Sequence, residues 1–292
     1  MIPASFDYHR PASLADAVQL LSQLGEEARV VAGGHSLIPM MKLRMAVPEH
    51  LIDLRAIAEL KGICMDDERI SIGAMTTQTE IIGSAALAEA CPILRETAEQ
   101  IADPQIRNLG TIGGNVANGD PGNDMPALMQ TLDAQFQVRG PGGERQIAAR
   151  DFYEAAFFTA LGEDEILVAI HIPKPAAGHG YAYEKQKRKI GDYATAAVAV
   201  TLSMDGGRCT AASIGLTNLA DTPLYAEAAA AALVGTDLDA AALDAAAAAA
   251  EAVTEPVSDG RGPSRFRSKL AGVLLRRAVR SAQARAAQAH TA

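Results

Sequence analysis

Apolar residues first recur at helical spacing at Leu14, Ala17, Val18, Leu21 and Leu24, with Ser13 placed to cap and Gly25 to terminate. Arg29 to Ala32 then reads as a short buried strand that runs into Gly33-Gly34-His35-Ser36. A helical pattern resumes from Ile38 to Met45, and Leu51 to Leu54 is the next strand. Together these form a small βαβ layer whose loops open at the C-terminal ends of the strands.

The pattern then becomes mixed. Arg69 to Gly73 and Glu165 to Ile172 read as strands, Thr77 to Ala90 and Pro92 to Ala102 as helices. Ala134 to Arg139 and Arg145 to Ala149 flank Gly140-Pro141-Gly142-Gly143, which signals a hairpin. Asn108 to Asn123 is dense in Gly and Asn and follows neither period. Pro173 to Gly180 reads as a linker, dividing the chain into residues 1–176 and 177–292. Strands near Tyr181–Gln186, Ala196–Leu202 and Cys209–Leu216 follow, the last two joined at Asp205-Gly206-Gly207. Tyr225–Val234, Leu238–Val253 and Ser264–Gln288 then read as helices, the alanine tract at 240–250 being plain helix.

Composition narrows the function. A chain of 292 residues suits two domains, and 49% hydrophobic against 21% charged residues excludes wholesale disorder. A net charge of −9, with no Trp, removes the case for nucleic acid. Cys64, Cys91 and Cys209 are too scattered for a zinc or iron–sulfur site of the chain's own, and they suit a reducing compartment. Residues 1–10 lack the apolar stretch of a signal peptide, and no 18-residue apolar span occurs, so the expected location is cytoplasmic.

Two short segments carry chemistry. In Ala32-Gly33-Gly34-His35-Ser36 the absent Cβ atoms let consecutive amides turn inward, which suits a phosphate or a plain turn, and Ser36 could add a hydroxyl. Thr111-Ile112-Gly113-Gly114-Asn115 repeats the device. Two such loops in one domain suit the two phosphates of a dinucleotide, and a Cβ on Gly33 or Gly114 should intrude on the nest. Asp124 could accept hydrogen bonds from ribityl or ribose hydroxyls, or cap the helix Met125–Leu132. No GxGxxG, P-loop, HExxH or GxSxG occurs, and no acid, base or nucleophile stands out. A site without its own reactive group suggests that a cofactor does the chemistry.

These two segments resemble the FAD pyrophosphate loops of molybdenum hydroxylase flavoprotein subunits, a family that includes the flavin domain of xanthine dehydrogenase. The resemblance runs from Phe6-Asp7-Tyr8 to the C-terminal helix. Ala102–Arg107, Asn118–Asp124, Tyr181–Lys185 and Lys187–Ala196 are most similar to the aerobic carbon monoxide dehydrogenase branch.

The resemblance implies an α+β fold: a PCMH-type FAD-binding domain of two lobes, then a smaller domain of antiparallel sheet and helices. It implies that Ala32, Gly33, Gly34, His35 and Ser36, with Thr111, Ile112, Gly113, Gly114 and Asn115, hold the FAD phosphates. Asp124 would bind ribose hydroxyls at the adenosine end, while Ile101 and Leu167 pack along the cofactor. Lys185 would reach the carbonyl edge of the flavin, and Tyr193 would either cover its face or serve as a core or interface tyrosine. FAD would be held without a covalent bond.

Molybdenum–pterin and iron–sulfur clusters would belong to partner subunits only, a large and a small one, in a dimer of heterotrimers. The complex could lie against the inner face of the membrane. In that assembly this subunit passes electrons from the iron–sulfur clusters through FAD to a quinone or another acceptor. The alternatives are the flavoprotein subunit of a molybdenum hydroxylase acting on an N-heterocycle or aldehyde, a self-contained FAD oxidoreductase, and a scaffold without cofactor. The basic residues Arg261, Arg265, Arg267, Lys269, Arg276, Arg277 and Arg280 read as a solvated helix face or a docking surface.

Overall fold

The computed structural model describes residues 1–289 and shows an α+β protein built around three sheets and a separate two-stranded hairpin. The first lobe holds strand β1 (Asp7–His9), helix α1 (Leu14–Leu24), β2 (Ala28–Val31), α2 (Leu37–Lys42) and β3 (His50–Asp53). Its three strands are parallel, with β3 in the centre. Ser13 Oγ accepts from the Asp16 amide at 3.1 Å, Leu14, Ala17, Val18 and Leu21 are buried, and Gly25 ends α1 at φ +55°.

The second lobe begins with β4 (Ile63–Met65) and β5 (Arg69–Gly73). Six short helices follow: α3 (Gln78–Gly83), α4 (Ala85–Ala90), α5 (Pro92–Gln100), α6 (Pro104–Leu109), α7 (Ile112–Ala117) and α8 (Asp124–Thr131). The expected helix Thr77–Ala90 is two helices, because Ser84 leaves the helical backbone and its hydroxyl caps the next turn at Leu87. The segment Asn108–Asn123, which follows neither period, contains α7. A six-residue helix is too short to show a period, and the Thr111 hydroxyl starts it by accepting from the Gly114 amide.

Strands β6 (Gln135–Gly140), β7 (Gly143–Ala148), β8 (Tyr153–Ala155), β9 (Phe158–Thr159) and β10 (Ile166–Pro173) complete this lobe. Five of its strands form an antiparallel sheet in the order β4-β5-β10-β6-β7. Phe136 and Val138 point into the core, while Gln135, Gln137 and Arg139 alternate outward.

The C-terminal part is an antiparallel sheet of β11 (Gly180–Gln186), β12 (Ala196–Asp205), β13 (Arg208–Thr217) and the unforeseen β14 (Leu224–Tyr225). Helices α9 (Glu227–Ala231), α10 (Ala240–Ala252) and α11 (Ser264–Ala289) cover one face. The other face lies on the first domain: Tyr183, Ala194, Ala197 and Ala199 join the core of the second lobe. Gly215 allows this contact. A Cβ there would collide with the Ala127 carbonyl and the Thr131 hydroxyl of α8, and the neighbouring Ser213 Oγ donates to Thr131 O at 2.7 Å. Among the described residues, no helix is long and apolar enough to cross a membrane.

The basic C-terminal segment is not one free surface. Arg267 is 2% exposed, Lys269 pairs with Glu251, Arg276 with Asp244 and Arg261 with Asp259. Of the cations on α11 Arg267 alone turns inward, while Arg265, Lys269, Arg276, Arg277 and Arg280 share the outer side, where Lys269 and Arg276 are each held by an acidic partner.

Candidate functional site

A cleft of about 690 Å³ opens between the lobes and is closed on one side by the C-terminal domain. Its first wall is the turn after β2. Gly34 has φ +78°, and the Gly33, Gly34, His35 and Ser36 amides donate to no acceptor among the described residues. The Ser36 hydroxyl is likewise unpartnered there, and it does not cap α2. Four amides without acceptors beside a cleft are the donor set an anion needs. Gly33 brings this turn against the next wall rather than against a ligand. A Cβ there would stand 2.8 Å from Gly110 Cα and closer still to the Leu109 carbonyl oxygen.

The second glycine pair works differently from the first. The Ile112 amide donates to Thr76 O and the Gly113 amide to Ala74 O, each at 2.9 Å, and the Gly114 amide reaches Thr111 Oγ1 at 3.0 Å. These amides are already engaged, so the expectation of two equivalent nests is corrected. Gly113 is a close approach: a Cβ would lie 2.6 Å from Ala74 O. Thr111, Gly113, Gly114 and Asn115 line the cleft, but Ile112 is fully buried in the core and does not reach it. Asn115 Oδ1 accepts from the Met125 amide at 3.2 Å, and its carbonyl accepts from Asn123 Nδ2 at 2.8 Å, which ties the cleft to the start of α8.

Asp124 is the first residue of α8, with Asn123 at the capping position. Its carboxylate accepts from Tyr183 OH at 2.5 Å and from Lys185 Nζ at 2.8 Å, and Lys185 also donates to Gln100 O at 3.1 Å. Both side chains of the ion pair are nearly inaccessible, 1% for Lys185 and 6% for Asp124. Burial pushes the Asp124 carboxyl above its usual range, opposed by the Lys185 charge; burial likewise raises the Tyr183 phenol. This pair corrects a second expectation. The two side chains, expected at separate places along the cofactor, stand 2.8 Å apart at one place in the cleft wall.

Ile101 and Leu167, each largely buried, give the cleft its apolar floor, and Ala32 continues it. Tyr193 lines the side contributed by the C-terminal domain and remains 43% exposed; burial raises its phenol pKa. Close by in the sequence, Lys187 donates to Gln100 Oε1 at 2.7 Å and Arg188 to Asp192 at 2.9 Å.

Two features were not anticipated from the sequence. Gln78 lines the cleft at 2% exposure, and neither atom of its carboxamide has a hydrogen-bond partner among the described residues. Phe157 and Phe158 stand exposed in the β8–β9 hairpin at the cleft, Phe157 with φ +64° and its amide on Gly119 O at 2.8 Å. Adjacent aromatics in so short a hairpin cannot both turn inward, which was the one legible hint.

Residues 4–175 match the model of the FAD-binding domain in molybdopterin dehydrogenase, and residues 181–282 match the CO dehydrogenase flavoprotein C-terminal domain. The chain belongs to the FAD-binding subunits of the molybdenum hydroxylases. It is thus an oxidoreductase component whose cofactor is FAD. It is 65% identical to the carbon monoxide dehydrogenase medium chain of Afipia carboxidovorans, across 98% of this chain and 99% of that one. The medium chain from Hydrogenophaga pseudoflava is 47% identical, across 98% and 100% respectively. The crystal structure of a cyanide-inactivated Cu,Mo-CO dehydrogenase superposes with a TM-score of 0.97 at 65% identity, covering 98% of this chain and 100% of that one. A quinoline 2-oxidoreductase from Pseudomonas putida superposes at 0.93 with 36% identity, covering 98% and 99%.

The residues present fit this cofactor. The unbonded amides of Gly33 to Ser36 suit a pyrophosphate, the Ile101–Leu167 floor suits a flat ring, and the sealed carboxamide of Gln78 lacks a polar partner.

Proposed function

We propose that this chain is the electron-relay flavoprotein of a molybdenum-containing complex that oxidises carbon monoxide. In this reading a large molybdenum subunit acts on CO, and a small iron–sulfur subunit carries the electrons here for delivery to a quinone or another acceptor. Identities of 65% and 47% to carbon monoxide dehydrogenase medium chains, against 36% to the quinoline oxidoreductase chain, support CO over an N-heterocycle. The observation that carries the cofactor reading is the run of four free amides beside the cleft.

FAD, when bound, supplies a ring able to take up electrons singly and release them in pairs. This chain's residues bind and orient. Gly33, Gly34, His35 and Ser36 donate amides to the pyrophosphate, with Ala32 and the Thr111–Asn115 turn closing the other side. Lys185 holds a positive charge at the cleft, where it can face a polar edge of the cofactor while Asp124 and Tyr183 keep it oriented. With FAD bound, Leu167 and Ile101 would exclude water from its flat ring, and Tyr193, on the C-terminal side of the cleft, would cover it. His35 sits at the phosphate turn rather than at the ring, so the attachment is non-covalent. The complex works in the cytoplasm and meets the membrane, if at all, through its other subunits.

The test is anaerobic. Loaded with FAD, the isolated chain should stay yellow under CO and bleach with dithionite. Addition of the iron–sulfur and molybdenum subunits should make bleaching depend on CO. Bleaching of the lone chain by CO would overturn the relay, and bleaching of the complex by an N-heterocycle but not by CO would overturn the substrate.

A further inference from the structure

Residues 187–195 leave the end of β11 and return to β12, and the loop is closed at its base by the Thr195 amide donating to Gln186 O at 2.7 Å. Tyr193 sits near its end. The phenol hydroxyl has no hydrogen-bond partner among the described residues, so the ring's pose depends on packing and on the backbone beneath it. The packing partner is Gly122, where a Cβ would stand 3.0 Å from Tyr193 Cδ1.

The two carbonyls that follow Tyr193 are both held. Ala194 O accepts from Asn218 Nδ2 at 2.5 Å, and Thr195 O accepts from Arg267 Nε at 3.1 Å. Arg267 rises from α11 into the interior and is 2% exposed. Its remaining donors go to Val257 O at 2.8 Å and to Asn218 O, and Asp259 lies 3.6 Å away. Asn218 therefore faces both ways, its carbonyl on Arg267 and its side chain on Ala194, from a backbone at φ +59°.

Burying a guanidinium is costly unless its donors are satisfied, and here three separate chain segments satisfy them. Only a planar fork reaches three carbonyls at fixed angles; an ammonium is a point charge on a flexible stem. Asp259 extends the arrangement to Arg261, whose guanidinium stands 5.9 Å from the Tyr193 ring centre.

We propose that Arg267 is a positioning residue for the cofactor cleft: it clamps Thr195 and Asn218, and thereby sets the pose of Tyr193. The inference rests on the FAD reading above. It assigns a role in the site to a residue of the C-terminal helix that touches neither the cleft nor the cofactor.

A double-mutant cycle on the full chain tests it. Tyr193→Ala should weaken FAD binding about two- to tenfold, the range expected for loss of one aromatic contact, and should raise the fluorescence of bound flavin. Arg267→Lys should reproduce part of both changes, and in the Tyr193→Ala background it should change neither. Asn218→Gly keeps the positive φ and removes only the Ala194 contact; it carries the same expectation and replaces Arg267→Lys should that variant not fold. A second readout needs no cofactor: tryptic cleavage at Lys187–Lys189 should be faster in Arg267→Lys or Asn218→Gly while other sites keep their wild-type rates. Additive effects in the cycle, or cleavage at the wild-type rate, would overturn the clamp. A wild-type chain that failed to bind FAD would overturn the cofactor reading instead, leaving cleavage to decide the clamp.

Discussion

Lys185→Met removes the cation from the buried Asp124–Lys185 pair and nothing else of comparable size. At 2.8 Å and an effective dielectric near 20, the attraction is about 6 kcal/mol before desolvation is counted. Taking both ions out of water offsets most of that, so the pair as formed is worth little net. Removing one partner is another matter, because the remaining carboxylate stays buried; such losses run to about 3–5 kcal/mol. Tyr183 OH still donates to Asp124, which places the expectation near the lower end, about 3 kcal/mol. For a chain of this length that is a fall in Tm of roughly 5–10 °C.

The sign with pH follows from the Asp124 carboxyl, which burial already pushes up and which loses its main opposing influence in the variant. A carboxyl whose folded pKa exceeds its unfolded value stabilises the fold below the unfolded pKa, and that stability is lost as pH rises through the folded pKa. The deficit of Lys185→Met relative to wild type should therefore be largest at neutral pH and shrink on acidification. A second change, Asp124→Asn, should recover part of the loss at pH 7. Guanidinium unfolding of the cofactor-free chain, followed by far-UV circular dichroism between pH 5 and 8, measures all three. A deficit below about 1 kcal/mol at pH 7, unchanged at pH 5, would refute the reasoning.

Gly33→Ala should cost more cofactor affinity than Gly114→Ala. The Gly33 Cβ meets backbone at Leu109 and Gly110, and overpacking of about 1–3 kcal/mol, if it moves the turn, weakens FAD about 5- to 150-fold by titration calorimetry. At Gly114 the nearest atom is the rotatable Thr111 hydroxyl at 2.9 Å, so a smaller loss is expected; the reverse order would contradict the packing argument. Gln78→Met should raise the thermal midpoint of the cofactor-free chain, because a buried carboxamide with no partner costs about 1–3 kcal/mol. It should also weaken FAD binding; a lower midpoint with unchanged affinity would show that the carboxamide is satisfied some other way.

Local chemistry was readable without coordinates. Ser13 and Gly25 bound their helix because capping and a left-handed terminus involve only residues within a turn of one another. The hairpins at Gly140–Gly143 and Asp205–Gly207 followed from turn residues between strands, and the turn with unbonded amides at Gly33–Ser36 from two adjacent glycines. Family resemblance added the rest of the cofactor outline.

What failed depended on partners distant in sequence. Ile112 lies inside a motif that points to the cleft, yet the Thr77–Thr111 bridge turns its amide inward and its side chain into the core. Asp124 and Lys185 are 61 positions apart and looked like ligands for separate parts of a cofactor, until docking of the C-terminal sheet on α8 brought them together. Arg267 sits in a basic run that reads as solvent-facing, and only the meeting of residues 195, 218 and 257 around it makes burial of its charge tolerable. A charge's neighbours within a few residues set its local propensity. Whether it becomes a surface, a ligand or a clamp depends on which segments the tertiary fold brings within 3 Å, and no local pattern carries that information.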